Sequence, residues 1–225
     1  MESRYTRLEY LFGDDFSKIK NSKVCIVGLG GVGSIAMEAI ARCGVGEITI
    51  CDFDVVNESN INRQIIANYN DLGMKKVDAS FKLCKDINPD IIIHTYDKKI
   101  DENNLDFFDF GFDYLIDAID DINSKLLIYK KCIELNITFI SSMGTAKKLD
   151  PTRFKTTFLD KTNYDPIAKI LRKKCREEGI SSKINVIYSD EEPMDIPNLG
   201  SYMPVVSTAG LLCSDFIIKE ILRRE

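Results

Sequence analysis

The stretch VCIVGLGGVGSIAMEAIARCGVGEITICDFD, beginning at Val24, constrains the fold more than any other part of the chain. A short β-branched run leads into glycines, an apolar helical pattern follows, and a second apolar run ends on an acidic residue. Gly28-Leu29-Gly30-Gly31-Val32-Gly33 satisfies G-x-G-x-x-G. The spacing predicts a tight turn at Gly28, backbone close to phosphate at Gly30, and a helix packed closely on its strand at Gly33. Phosphate oxygens then meet free N–H groups at the positive end of a helix dipole. Asp52, nineteen residues after Gly33, ends the second strand, where it accepts hydrogen bonds from ribose hydroxyls.

The alternation continues beyond this unit. Apolar runs predict strands at Lys23–Val27, Glu47–Cys51, Ile91–Thr95, Asp113–Ile119 and Ile137–Ser142, each buried on both faces. Helical patterns lie between them at Val32–Cys43, Met74–Ile87 and Ile122–Leu135. This predicts an α/β fold with a Rossmann-like, doubly wound, mostly parallel sheet. After Asp150-Pro151, FKTTFLD and INVIYSD extend the sheet with two additional strands, flanking a basic helical segment from about Asp165 to Glu177. A last helix near Val205–Arg223 presents Leu211, Leu212, Phe216, Ile217 and Ile221 to the sheet. The expected organisation is one domain over 1–225, with a nucleotide-binding half at 1–144 and a substrate-facing elaboration with a closing helix at 145–225.

The glycine turn lacks the Gly-Lys-Ser/Thr ending of a Walker loop, so a bound triphosphate needs its charge neutralised from elsewhere. DFDVVNESNINRQIIANYNDLGMKKVDA supplies candidates. Arg63 is a planar fork and Lys76 a point charge. Both suit a site that splits ATP between its α and β phosphates, because negative charge builds on the leaving pyrophosphate. Asn60 adds an amide for a phosphate or an attacking carboxylate. Lys75 reads as an incidental surface charge. In LIDAIDDIN, Asp117, Asp120 and Asp121 gather at the carboxyl end of the fourth predicted strand. Magnesium takes one or two carboxylates plus phosphate oxygens, and Asp120 is the candidate ligand. Asp121 alternatively caps the following helix, and Asp117 alternatively stays buried in the strand.

GLGGVGS, DFD, SNINRQ, GMKKVDA and DAIDD, in this order, resemble the nucleotide-binding half of the ubiquitin-activating-like superfamily, which includes the activators of sulfur-carrier proteins of thiamine and molybdopterin synthesis. The resemblance implies a ThiF-type domain that adenylates a carboxylate with ATP and magnesium. By position it implies ribose binding at Asp52, phosphate handling by Asn60, Arg63 and Lys76, and magnesium at Asp120. Gly31, Asp54 and Gln64 complete the implied nucleotide-contacting set. The opening RYTR implies a homodimer in which Arg7 reaches a neighbouring site. Asp121 departs from the pattern, since many relatives carry Asn or Ser there.

The second half narrows the resemblance. SSMGTAKKLDPTRFKTTFLDKTNYDPIAKILRKKCREEGI and GSYMPVVSTAGLLCSDFIIKEIL look like the tRNA threonylcarbamoyladenosine dehydratase branch. The sulfur-carrier activators typically hold paired C-x-x-C zinc ligands in this half; this chain has none, so no zinc is expected. The implied reaction is cyclising dehydration of N6-threonylcarbamoyladenosine beside a tRNA anticodon. The alternative is activation of the C-terminal glycine of a ubiquitin-like sulfur carrier. The branch also implies a sulfur-relay protein partner.

Charge distribution fits an RNA partner. Between Lys147 and Lys183, eleven Lys and Arg face five Asp and Glu, although the whole chain carries −5. Lys147, Lys148, Arg153, Lys155, Arg172, Lys173 and Lys174, with Lys169 and Arg176, are candidates to track phosphates of the anticodon stem-loop. The alternative is a solvated helix face. Tyr164 is either a stacking platform for a splayed base or a core residue. His94, the only histidine, reads as a strand residue with a satisfied hydrogen bond, which disfavours Ser-His-Asp chemistry. Cys175, flanked by Lys174 and Arg176, reads as a surface helix position, and Cys213 as core. The seven scattered cysteines, the lack of a bilayer-length apolar run and the charged MESRYTRLEY opening predict a reduced, cytoplasmic protein with no membrane contact.

Overall fold

The structure, a computed structural model, describes residues 2–223. Two short helices, α1 (Thr6–Phe12) and α2 (Phe16–Lys20), precede the first unit of β1 (Lys23–Val27), α3 (Gly31–Arg42) and β2 (Glu47–Cys51). Then follow α4 (Lys76–Ile87), β3 (Ile92–Tyr96), β4 (Tyr114–Asp117), α5 (Ile122–Glu134) and β5 (Thr138–Ser142). β6 (Phe154–Phe158), α6 (Pro166–Glu177), β7 (Asn185–Ser189) and α7 (Met203–Arg223) complete the chain. The strands form one seven-stranded sheet in the order β3-β2-β1-β4-β5-β7-β6. All neighbours are parallel except β6, which runs antiparallel to β7. The elements after residue 144 thus extend the sheet of the first half.

Alternation along the central strands splits the core into two layers. On β1, Val24 and Ile26 face α3, α4 and α7, whereas Cys25 and Val27 face α5, α6 and the Phe107–Phe108 turn. Ile26, Ile48 and Ile50 are fully buried, and each such side chain contributes about 1.5–3 kcal/mol. Burial on both faces holds for β1, β2 and β4 but fails for β3, where Ile92 is 54% exposed. β3 is an edge strand, so one side has no neighbour to cover it. His94 sits there with Nε2 3.0 Å from Glu47 Oε1 and its ring stacked on Phe110.

Two further expectations change. Cys175 is fully buried in α6, not at the surface, and burial pushes its thiol up despite the flanking cations. On α7 the buried face runs through Val205, Val206, Ala209, Cys213, Ile217 and Ile221, while Leu211 is exposed. The helix begins two residues earlier than its apolar pattern and lies along α3, so helix–helix packing selects the face. No helix among the described residues is long and apolar enough to cross a membrane.

Candidate nucleotide and acceptor cleft

Strand order reverses between β1 and β4, and a cleft of about 1040 Å³ opens there at the carboxyl ends of the strands. One end is built by the glycine turn. Gly28 has φ +88°, and its N–H donates to Cys51 O at 2.8 Å, tying the turn to β2. A Cβ on Gly33 would lie 1.7 Å from Gly28 O, so the turn and α3 are in direct backbone contact. Gly31 packs under Val206 of α7. Only Gly30 faces open space, its nearest neighbour being Gln64 Nε2, 3.9 Å from an ideal Cβ.

Asp52 braces this turn: Leu29 N–H donates to Oδ2 at 2.7 Å and Asp54 N–H to Oδ1 at 2.9 Å. Lys76 is brought alongside by local backbone pairing, with a bridge between Val55 and Lys75 and a bond from Lys76 N–H to Asp54 O. Its Nζ lies 2.8 Å from Asp54 and 3.8 Å from Asp52, and the residue is 5% exposed. Lys75 points away and pairs with Asp97. Between these elements the chain forms a turn at Glu58–Asn60, where Asn60 Oδ1 accepts from Asn57 N–H at 3.0 Å. The Asn60 amide oxygen is thereby committed to the turn. Arg63 is fixed beside it, donating to Ser59 O and Asn62 Oδ1, both at 2.8 Å.

Gln64 is 6% exposed, and its Oε1 has no hydrogen-bond partner. A buried acceptor left unpaired costs about 1–3 kcal/mol, so this amide is poised for a donor that the chain does not supply.

At the loop after β4 the three aspartates separate. Asp117 is fully buried. Asp121 caps α5, accepting from Ser124 N–H at 2.8 Å, which holds its carboxyl below the usual range, with Lys99 a lesser cause. Asp120 and Asp121 are both exposed and line the cleft, but Asp121 spends its carboxylate on Ser124, which leaves Asp120 as the one directed at no residue of the helix cap. Lys98 and Lys99 also line this end, a contribution the sequence reading missed. Their signal is position, in DKKI just past the carboxyl end of β3. The cleft is also lined by Ser142–Ala146, Ile167, Leu199–Ser201 and Asn62, and Asn62 Nδ2 donates to Ser201 O at 2.9 Å. Arg7 sits exposed on α1 and does not line the cleft of its own chain.

The basic segment divides into spent and free cations. Lys148 is 3% exposed, donating to Ser189 O at 2.8 Å with Asp165 Oδ2 at 3.7 Å; burial holds its pKa down. Arg172 turns inward onto Thr162 O and Leu159 O, closing the turn before α6. These two side chains therefore do not present their charge to an RNA backbone, contrary to expectation. Lys147 donates to Ile196 O, and Arg153 and Lys155 both pair with Asp190 at the edge of the sheet. Lys173 is 76% exposed, held only loosely by Glu177 at 3.7 Å. Lys174 reaches Asn123 at the start of α5, near the cleft. Tyr164 is exposed with φ +52°, which removes the core reading.

Comparison with known proteins bears on this cleft. The ThiF family model matches residues 3–225. A Bacillus subtilis protein named tRNA threonylcarbamoyladenosine dehydratase is 38% identical, over 99% of this chain and 96% of that protein. Molybdopterin-synthase adenylyltransferase from Haemophilus influenzae is 34% identical, over 81% of this chain and 77% of that protein. The crystal structure of Escherichia coli tRNA N6-threonylcarbamoyladenosine dehydratase in complex with ATP superposes with a TM-score of 0.93, at 29% identity, over 97% of this chain and 93% of the other.

Proposed function

The chain belongs to the ThiF family, and from that premise we propose that it is an ATP-dependent tRNA threonylcarbamoyladenosine dehydratase. The observation that carries the substrate is the nearly end-to-end likeness to the Bacillus subtilis dehydratase, which takes in residues 145–225 as well as the nucleotide-binding half. The threonyl carboxylate of the modified nucleotide attacks the α phosphorus of ATP and expels pyrophosphate. An atom of the same modification then attacks the acyl carbon, AMP leaves, and a ring closes with net loss of water. The second nucleophile is already tethered, so its effective concentration is high and no catalytic cysteine is required.

Roles follow from the cleft. Backbone N–H groups at Gly30 and Gly31 and the α3 N-terminus receive phosphates, while Gly28, its N–H bonded to Cys51 O, shapes the turn. Asp52 holds the ribose, with Asp54 beside it. Lys76 and Arg63 offset charge on the departing pyrophosphate. Gln64 gives its unpaired oxygen a donor once the nucleotide is bound, and Asn60 steadies the turn that carries Arg63. For magnesium, Asp120 offers one free carboxylate, and no three His, Cys, Asp or Glu cluster among the described residues. That donor set fits an ion carried in by phosphate oxygens, where it would screen triphosphate charge. Arg7 completes a neighbouring subunit's cleft in a homodimer, so dilution below the dimer's dissociation constant lowers specific activity. A cytoplasmic setting and a sulfur-relay protein partner remain part of the reading.

The deciding experiment incubates the protein with ATP, magnesium and N6-threonylcarbamoyladenosine-bearing tRNA, then analyses nucleosides by mass spectrometry. Loss of one water from the modified nucleoside, with stoichiometric AMP, is expected. Pyrophosphate release driven by a Gly-Gly-tailed carrier and not by tRNA would favour the sulfur-carrier alternative.

The tRNA footprint contracts to Lys169, Lys173, Lys174 and Arg176 of α6, with Lys147, Arg153 and Lys155 at its margin. Replacing Lys173 and Lys174 by Glu weakens tRNA binding on the order of tenfold. It also flattens the log–log salt dependence by roughly 0.7 per lost phosphate contact. Filter binding between 50 and 200 mM salt, about the range where such contacts dominate, reads this out. An unchanged slope would remove α6 from the footprint.

A further inference from the structure

Beneath the cleft lies a closed polar network that the adenylation chemistry does not use. Lys125 of α5, Asp117 at the end of β4, and Tyr129 and Ser141 are all fully buried. Lys125 Nζ donates to Asp117 Oδ2 at 2.9 Å, Ser141 Oγ at 3.0 Å and Ser142 O at 2.9 Å, so each ammonium proton has an acceptor. Ser141 Oγ donates to Asp117 Oδ2 at 2.6 Å and accepts from Tyr129 OH at 2.7 Å. Asp117 Oδ1 accepts from Ile119 N–H at 3.3 Å.

A buried ion pair is weak evidence for stability, because apolar residues of similar bulk often serve as well or better. What they cannot supply is directional attachment. Asp117 grips the backbone of the loop that carries Asp120, and Lys125 grips the carbonyl of Ser142, where the loop 142–146 begins. Both loops line the cleft. On the adenylating reading, the first carries Asp120 toward the triphosphate and the second is left for the acceptor.

We propose that Lys125 and Asp117 are positioning residues that set the loop after β4 in register with the loop after β5. The attacking carboxylate and the α phosphorus are thereby held in line. This inference rests on the adenylating reading above. A displacement of about 1 Å at the reacting centre costs on the order of 100-fold, so a rigid tie between the two loops has a large kinetic consequence.

The test is the paired substitution Asp117→Leu with Lys125→Met, read three ways. Hydrogen–deuterium exchange reports the segments 118–121 and 142–146, calorimetry reports ATP affinity, and single-turnover pyrophosphate release with tRNA reports the chemical step. Expected are faster exchange confined to those two segments, ATP affinity within about threefold of the parent, and a chemical step about 10–100-fold slower. Unchanged turnover, or faster exchange spread evenly over the sheet, overturns the proposal. If the pair does not fold, Ser141→Ala keeps the ions and removes the hydroxyl between them, and the same three readouts decide. If the parent itself releases no pyrophosphate with tRNA, the functional reading fails, while the exchange experiment still judges the tie between the loops.

Discussion

Replacing Lys76 by alanine yields a folded protein whose pyrophosphate release is about 10²–10³-fold slower, the scale found when one charge-stabilising donor is removed. The argument begins with an oddity of placement. Lys76 is the first residue of α4, where the helix dipole is positive and a cation is disfavoured by about 0.3–1 kcal/mol. It is 5% exposed, although Lys is rarely buried unless paired. Its partner Asp54 is half exposed on the side-chain atoms and contributes little on its own. The cation therefore sits in a position that local stability does not recommend, facing a cleft with a glycine turn on one wall. Losing it relieves the dipole conflict and forfeits two ion pairs, to Asp54 at 2.8 Å and to Asp52 at 3.8 Å, but Asp52 keeps its two backbone N–H donors, so the melting temperature moves little. ATP affinity falls too, because Asp52 and Asp54 then face the triphosphate without a screen. Arg63→Ala separates the two effects: Arg63 touches only Ser59 O and Asn62 Oδ1, so its loss lowers the chemical rate with a smaller change in affinity. Rapid-quench pyrophosphate release beside calorimetric ATP titration measures both. Turnover within threefold of the parent for either variant would mean that the phosphates lie elsewhere.

Much of this was legible before any coordinates. The bounds of β1 and β2 match residue for residue, because a parallel central strand is a contiguous apolar run with turn residues at both ends. The glycine spacing and Asp52 were legible for the same reason: they are local in sequence. Errors arose where tertiary partners decide. Nothing in KKLDPTR says that Lys148 lies inside against Ser189 O, forty-one residues away. Cys175 sits between two cations in sequence, yet the amphipathic face of α6 turns it inward. Lys98 and Lys99 carry no motif and reach the cleft only because β3 ends beside it. Lys125 is invisible for a different reason. A lone lysine inside a helix reads as solvated, and only the convergence of β4, β5 and α5 shows its three acceptors.

The two glycines that most resemble each other in the motif give opposite results on replacement by alanine, and the pair separates fold from function. At Gly33 a Cβ would fall 1.7 Å from Gly28 O and 3.1 Å from Ala118 Cβ. The first clash is with backbone, so either α3 or the turn must move. Overpacking of this kind costs about 1–3 kcal/mol or more, which lowers the melting temperature by several degrees at roughly 2–4 °C per kcal/mol. At Gly30 the backbone is extended, with φ −74° and ψ −156°, which any residue adopts, and an added Cβ meets nothing closer than Gln64 Nε2 at 3.9 Å. Gly30→Ala therefore costs under about 1 kcal/mol, the range of a changed helix N-cap. Its methyl group instead occupies the space a phosphate needs. ATP at about 100 times its dissociation constant stabilises the parent by about 2.7 kcal/mol; in Gly30→Ala that thermal shift disappears while the ligand-free melting temperature holds. Scanning fluorimetry with and without ATP and magnesium reads both variants in one experiment. A full ATP-induced shift in Gly30→Ala would place the triphosphate away from the glycine turn and withdraw the chemistry assigned to Arg63 and Lys76 with it.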